Sequence, residues 1–155
     1  MRMQQPDHFL SRIIIVCLLF LIPSPSQADQ PNDGLKKHVT VVEIWPGGGW
    51  YREILAPYLK DEGRYYAAGP DASSDIPFVQ NLSRQLKDKL VSDLDLYGKA
   101  IISELAPPQK TAIAPDGSAD MVLTFRNVHN WSNQKSDHAA FKAFFAALKP
   151  GGILG

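Results

Sequence analysis

The sequence predicts an α/β fold in which a Rossmann-like parallel sheet is flanked by helices. The run from Val39 to Ile44 is rich in apolar β-branched residues and is broken only by Thr40 and Glu43, which is typical of a strand covered on both faces. It ends in glycines 47–49, after which apolar residues recur at helical spacing at Tyr51, Ile54, Leu55, Tyr58 and Leu59. Further short apolar runs then alternate with helical patterns, as α/β proteins require.

The glycine turn at Gly47, Gly48 and Gly49 lies between the first strand and the first helix. Glycines allow backbone conformations closed to other residues and let a ligand approach the main chain, while the helix start offers unpaired N–H groups. The spacing is neither that of a dinucleotide site nor that of a P-loop. An ordinary tight turn is therefore the alternative interpretation. Glu43, four positions before the first glycine, places an acid at the end of this strand.

Residues 1–28 predict a secretory signal peptide. Arg2 and Arg12 give a positive start, Ile13–Ile22 a short apolar core, and residues 26–28 (Ser-Gln-Ala) a small-x-small cleavage site. An uncleaved inner-membrane anchor is the alternative, although the apolar core is short for a membrane span. We therefore expect an exported, periplasmic protein whose remaining residues, 29–155, form one partial domain.

The composition excludes two classes of site. Sixteen basic residues balance sixteen acidic ones, and no basic cluster marks a nucleic-acid surface. The single cysteine, Cys17, lies inside the predicted leader. After cleavage the chain would hold neither a disulfide nor a thiolate metal site, and we expect no metal.

The second strand is predicted at residues 64–68, after a first helix that Pro57 should kink or end near Ala56. An acid just past the second strand of such a sheet commonly accepts hydrogen bonds from ribose hydroxyls. Asp71 is the candidate, with Asp75 as the second choice. Asp71 is equally suited to capping the helix that follows.

The remaining elements follow from periodicity and turn residues. They are a helix over residues 79–90, strands at 100–105 and 120–125 separated by a long loop at 107–119, a helix over 137–148 ended by residues 149–152, and a strand that begins at 153.

Polar side chains follow the fourth strand, where the ligand crevice of an open α/β sheet lies. Arg126 can hold an anionic group, and His129 is the best candidate for a proton acceptor near neutral pH. Asn127 and Asn130 offer donors and acceptors, and Trp131 can wall a planar or cationic ligand. Alternatively, the histidine and the asparagines satisfy buried backbone groups in a turn.

Three segments together resemble one bacterial protein family. Residues 43–51 (Glu-Ile-Trp-Pro-Gly-Gly-Gly-Trp-Tyr), 119–131 (ending in Phe-Arg-Asn-Val-His-Asn-Trp) and 148–152 (Leu-Lys-Pro-Gly-Gly) look like exported predicted methyltransferases of the class I S-adenosylmethionine-dependent fold. The last segment is widespread in class I methyltransferases, whereas the second is much more particular to this family. The likeness runs from about residue 39 to the end of the chain.

The resemblance implies a seven-stranded sheet with S-adenosylmethionine over the carboxyl ends of the first strands. It implies cofactor binding by Glu43, Gly47, Gly48, Gly49 and Asp71. It places the methyl acceptor, an unidentified small molecule, on the segment after the fourth strand, with catalytic roles for His129, Arg126 and Asn127 and substrate contacts from Asn130 and Trp131.

The sequence also departs from the family pattern. A class I domain continues past a complete fifth strand, whereas this chain stops at Gly155, so we expect a form truncated at the carboxyl side. Export is a second difficulty, because S-adenosylmethionine is made in the cytoplasm. Three functions therefore stay open: methyl transfer, a non-catalytic nucleoside or metabolite binding module in the periplasm, and an inactive fragment that folds poorly.

Overall fold

The computed structural model describes residues 34–155. Its strands are β1 (Thr40–Ile44), β2 (Arg64–Gly69), β3 (Ile101–Glu104), β4 (Ala119–Thr124) and β5 (Leu148–Leu154). Its helices are α1 (Arg52–Leu59), α2 (Pro77–Ser92), α3 (Leu94–Tyr97), α4 (Val128–Asn133) and α5 (Asp137–Ala147). Within these residues the strands form one sheet in the order β3-β2-β1-β4-β5, and every pairing is parallel. The predicted Rossmann-like fold class is confirmed.

The strand order reverses between β1 and β4, and this positions the site. The chain runs outward from β1 through β2 to β3, then crosses back to β4 on the other side of β1. The segments that leave β1 and β4 therefore start side by side and diverge to opposite halves of the sheet. A crevice forms where they part, at the carboxyl ends of the two strands.

Both faces of the sheet are covered at β1, which explains why most of its residues are apolar. Val42 and Ile44 pack with α4 and α5 on one face. Val41 packs with α1, α2 and α3 on the other. Because side chains alternate along a strand, Glu43 lies on the same face as Val41. The one acid of β1 is therefore buried beneath α1.

The first helix differs from its prediction in length and in orientation. The expected end near Ala56 is wrong, because α1 continues to Leu59 with Pro57 in its last turn. The carbonyl left without a partner by Pro57 belongs to Glu53, on an exposed residue that water can reach. The buried stripe is also shifted by one residue: it consists of Arg52, Leu55, Ala56 and Leu59, whereas Tyr51, Ile54 and Tyr58 are exposed.

Two further differences lie near the carboxyl end. The polar segment after β4 contains a short helix, α4, which is not among the predicted elements. Strand β5 begins at Leu148, directly after α5, and not at Ile153. A register shift permits this, because Leu148 pairs with Ala119 while Ile153 pairs with Met121. The extra residues of β5, which include the Pro-Gly-Gly sequence at 150–152, form a bulge within the strand.

The predicted signal peptide at residues 1–28 and its cleavage site lie outside the described residues. Among residues 34–155, no helix has the length and apolar character needed to cross a membrane.

Asp120 joins the starts of three strands. Its carboxylate accepts the backbone N–H of Thr40 at 2.8 Å and binds Nζ of Lys149 at 2.8 Å. We expect Asp120→Ala to lower the free energy of unfolding by about 1–2 kcal/mol, chiefly because the Thr40 N–H loses its partner. Urea unfolding of this variant beside Asp116→Ala, a change at an exposed turn, measures the effect. Equal stability of the two variants would show that Asp120 does not join the strands.

Candidate functional site

A cleft of about 630 Å³ opens at the carboxyl ends of β1 and β4. One wall is formed by residues 43–51, which include the glycine loop (residues 45–50). The other wall is formed by residues 125–127 and His129, from the polar segment (residues 125–131). The structure thus brings together the two stretches that the sequence analysis singled out, on the two sides of the strand-order reversal.

The backbone of the glycine loop is left-handed at every second residue. Trp45, Gly47 and Gly49 have φ angles of 48°, 51° and 85°. Glycine adopts such angles freely, but a tryptophan there costs on the order of 1–3 kcal/mol. Nε1 of Trp45 donates to the carbonyl of Leu105 at 2.9 Å, so a bond across the sheet holds the residue in place. Trp45 therefore belongs to the loop geometry, a role that the sequence reading missed.

The three glycines differ in what a side chain at each position would meet. Gly49 is buried, and a Cβ there would lie 1.9 Å from Nη2 of Arg52. Gly47 needs its positive φ, and a Cβ there would contact only the Trp45 carbonyl, at 3.7 Å. Gly48 is under neither constraint, because nothing lies within 4 Å of a Cβ added to it. Gly48 is therefore the point where the loop leaves open space for a ligand to approach the main chain.

Glu43 forms the base of the cleft and is only 2% exposed. Oη of Tyr65 donates to its Oε2 at 2.6 Å. Burial raises the pKa of Glu43, and the Tyr65 hydrogen bond and the positive charge of Arg52 oppose that rise. The pKa of Tyr65 is raised as well, first by burial and then by the neighbouring carboxylate, so its hydroxyl stays a donor. The site thus contains one buried acid with a fixed neutral donor.

The polar segment divides into exposed and buried residues. Arg126, which has a φ of 59°, and His129 are exposed on the cleft. Asn127 is buried, and its Nδ2 donates to the carbonyl of Ile44 at 3.1 Å, which ties the segment to the end of β1. The backbone carbonyl of Asn127 accepts the N–H of Asn130 at 2.9 Å. The side chain of Asn127 thus supports the backbone at the cleft wall.

Trp131 does not wall the cleft, contrary to its expected role. Helix α4 turns the side chain inward, where it is completely buried. It meets Trp45 edge-on with ring centroids 5.8 Å apart, and Phe144 at 5.6 Å. Its contribution in this structure is to hold the glycine loop through Trp45.

Asp71 lies beyond the end of β2, in a cluster of charges. Its carboxylate accepts bonds from Nζ of Lys110 at 2.5 Å and from the backbone N–H and Oγ of Ser73 at 2.8 and 2.7 Å. The Lys110 bond, followed by those of Ser73, lowers the pKa of Asp71 to about 2. Lys110 also pairs with Glu104. The alternative role as a helix cap is wrong, because α2 begins at Pro77, and Asp75, the second choice, is exposed.

A second cavity of about 290 Å³ lies beside the glycine loop, and we call it the apolar slot. It shares Trp45, Pro46, Gly47 and Asn127 with the cleft. Its other lining residues are Pro70, Asn130 and three apolar residues of α2, Phe78, Leu82 and Leu86. Asp71 is not among them, although its neighbour Pro70 is. The glycine loop therefore lies between the cleft, which has the Glu43 carboxylate at its base, and the apolar slot.

Aromatic rings that the sequence analysis did not assign to the site stand at the cleft entrance. Tyr51 stacks on Phe125 with ring centroids 3.7 Å apart, so the pair bridges the two walls. Trp50 is 76% exposed beside it. Within residues 34–155, no group of three or more His, Cys, Asp or Glu side chains is placed to hold a metal ion.

The buried charge of Glu43 should make stability depend on pH. Because its folded pKa lies above the usual 4.5, the folded chain binds more protons than the unfolded chain between those two values. Stability therefore falls as pH rises through that window, and the penalty persists above it. Glu43→Gln keeps an acceptor for Tyr65 and removes the charge. We expect a higher Tm than wild type at about pH 8, with the difference narrowing towards about pH 5.

Thermal melts across this pH range, with the exposed Glu62→Gln as control, measure the effect. A Glu43→Gln variant that melts at or below wild type at the higher pH would contradict the assignment of a penalised buried charge.

The sequence matches no protein-family model and no curated protein. Its fold is similar to solved methyltransferase structures. One is an S-adenosylmethionine-dependent methyltransferase from Aquifex aeolicus, with a TM-score of 0.55 and 20% identity over 78% of this chain and 56% of that one. Another is an arsenic(III) S-adenosylmethionine methyltransferase from Chlamydomonas reinhardtii, with a TM-score of 0.53 and 15% identity over 82% and 45% of the two chains.

The chain thus spans about half the length of these structures. At such identities the likeness concerns the fold, and it agrees with the strand order and the flanking helices described above. The chain has the Rossmann-like fold of class I methyltransferases.

Proposed function

We propose that this chain binds S-adenosylmethionine at the glycine loop and transfers its methyl group to a small-molecule acceptor. The observation that carries the proposal is the open approach to the main chain at Gly48, in the cleft whose lining includes the buried carboxylate of Glu43. It lies at the strand-order reversal, where open α/β sheets bind their ligands. The fold shared with S-adenosylmethionine-dependent methyltransferases supports the same conclusion.

The two cavities suit the two ends of this cofactor. The amino-acid end carries an ammonium group, for which the Glu43 carboxylate at the base of the cleft is the complementary charge. The nucleoside end carries a flat adenine ring, which matches a slot lined by Phe78, Leu82 and Leu86. The cleft volume falls within the roughly 300–1,000 Å³ range of small-molecule sites.

Asp71 is the proposed partner of the ribose hydroxyls. It follows Pro70, a lining residue of the apolar slot, and its low pKa of about 2 keeps it an acceptor at any working pH. Lys110 occupies part of that acceptor capacity in this structure. A ribose would therefore share the carboxylate with Lys110 or displace it.

The chain would accelerate transfer mainly by orienting the two reactants. S-adenosylmethionine held by Glu43 and the glycine loop would supply the methyl group of its sulfonium sulfur to a nucleophilic atom of the acceptor, and S-adenosylhomocysteine would be left as the second product. Holding both partners in line makes the step effectively unimolecular, which lowers its barrier. His129, exposed on the cleft, would take the proton that the acceptor atom loses, and Arg126 would hold an anionic part of the acceptor.

The acceptor would enter between the exposed rings at the cleft entrance. Trp50 and the stacked pair of Tyr51 and Phe125 stand on the side away from the apolar slot. Of the residues that the sequence analysis assigned to the acceptor, Asn130 lies on the slot side and Trp131 lies in the core. The proposed acceptor contacts are therefore His129, Arg126 and the ring surface.

Gly48→Val should lower the affinity for S-adenosylmethionine by about one to two decades, because its side chain fills the space of the approaching ligand. It should leave the Tm unchanged, because it meets nothing within 4 Å. Isothermal titration of both S-adenosylmethionine and S-adenosylhomocysteine measures the affinity.

Gly34→Val is the matched control, since nothing lies within 4 Å of a Cβ there either. Equal affinity in the two variants, with both folded, would remove the cofactor from the glycine loop.

His129→Asn should keep cofactor affinity and lose roughly 10²–10⁴ in the rate of methyl transfer if the histidine is the general base. Transfer of the labelled methyl group from S-adenosylmethionine to a panel of small acceptors measures the rate, with His138→Asn, an exposed histidine on α5, as control. Unchanged turnover would exclude the catalytic role. Cofactor binding without transfer to any acceptor, in wild type as well, would favour the binding-module alternative.

A further inference from the structure

Arg52 is a buried charge that the proposed chemistry leaves unused. It lies in the first turn of α1 and is only 3% exposed. Arginine is rarely buried to this degree unless it is paired. Yet its Nε and Nη1 atoms have no hydrogen-bond partner within the part of the chain that the structure describes. A buried donor without a partner destabilises the fold, so an arginine at this position needs an explanation beyond packing.

The guanidinium lies directly against the glycine loop. A Cβ added to Gly49 would be 1.9 Å from Nη2 and 2.5 Å from Cζ of Arg52. The absence of a side chain at Gly49 therefore creates the space that the guanidinium fills. Since Gly49 is also left-handed, with a φ of 85°, loop conformation and arginine placement require the same glycine.

Arg52 also shares its environment with Glu43. Both are almost completely buried, and both lie between α1 and the sheet. The other titratable or charged groups around this carboxylate are Tyr65 on β2, Tyr97 on α3 next to Tyr65, and, along the cleft, Glu53, Arg126 and His129.

Most of these groups do not compensate the Glu43 charge. The raised pKa of Tyr65 keeps it neutral, and Glu53 pairs with Lys89 at 3.2 Å. Arg126 and His129 are exposed to water, which screens them. Arg52 is the buried cation of the group, and its charge lowers the pKa of Glu43 against the effect of burial.

We propose that Arg52 is a positioning residue, which favours the ionised form of the Glu43 carboxylate and supports the glycine loop at Gly49. Its consequence for cofactor binding rests on the proposed function. The coupling between Arg52 and Glu43 does not, because it requires only the folded chain. A purely structural arginine would affect stability but leave the titration of Glu43 where it is.

The test compares Arg52→Met, which keeps the length and removes the charge, with Arg52→Lys, which keeps the charge. NMR titration of the Glu43 side-chain carboxyl carbon reports its pKa directly. We expect Arg52→Met to raise that pKa above the wild-type value and Arg52→Lys to restore it towards wild type. Arg84→Met, the same substitution on an exposed position of α2, should leave it unchanged.

The pH profile of S-adenosylmethionine affinity is the second readout. In Arg52→Met the affinity should fall about tenfold for each unit by which the Glu43 pKa exceeds the pH, and recover at higher pH. Arg52→Gln carries the same expectations and replaces Arg52→Met if the latter does not fold.

An unchanged Glu43 titration in the folded neutral variant would overturn the proposal. A wild-type chain without S-adenosylmethionine affinity would overturn the proposed function instead, while the titration would still decide the role of Arg52.

Discussion

The burial of one carboxylate, that of Glu43, is the constraint on which the rest of the site depends. It lies at the carboxyl end of β1, under α1, with 2% of its surface exposed. Burial of a charge opposes folding, and the raised pKa of Glu43 expresses that cost. Tyr65 from β2 and Arg52 from α1 offset part of it. Acids with shifted pKa values in clefts are typical of functional sites, and Glu43 lies where the fold already places ligands.

The second requirement is a strained loop above that acid. Trp45 adopts a left-handed backbone that glycine would adopt freely, and two contacts hold it there: the bond from its indole to the carbonyl of Leu105, and the edge of Trp131. These contacts link the end of β1 to the segment after β3 and to α4. A side chain from the polar segment thus supports the glycine loop on the opposite side of the cleft. A strained backbone of this kind persists only where contacts with the surrounding residues hold it in place. Such strained residues are common at ligand sites.

The strands and the place of the site could be predicted from the sequence, because β1 is apolar on both faces and ends in glycines. Local pattern alone could not orient α1: its most apolar stripe contains Tyr51, yet the side buried against the sheet contains Arg52. A six-residue helix such as α4 is too short to show a helical periodicity in the sequence. The burial of the Trp131 side chain could therefore not be predicted. Pro150 suggested a break, but β5 lies at the edge of the described sheet, where proline is tolerated. Each of these wrong predictions follows from contacts between elements that are distant in the sequence, which a short stretch of sequence does not reveal.

Hydrogen exchange of the full chain, with and without saturating S-adenosylhomocysteine, tests the central claim most directly. If the cofactor binds above Glu43, backbone amides of the glycine loop, residues 45–50, and of the polar segment, residues 125–131, should exchange more slowly in its presence. Residues on the far edge of the sheet, in β5, should be unaffected. Unchanged exchange at the glycine loop, or protection confined to another part of the chain, would contradict the account.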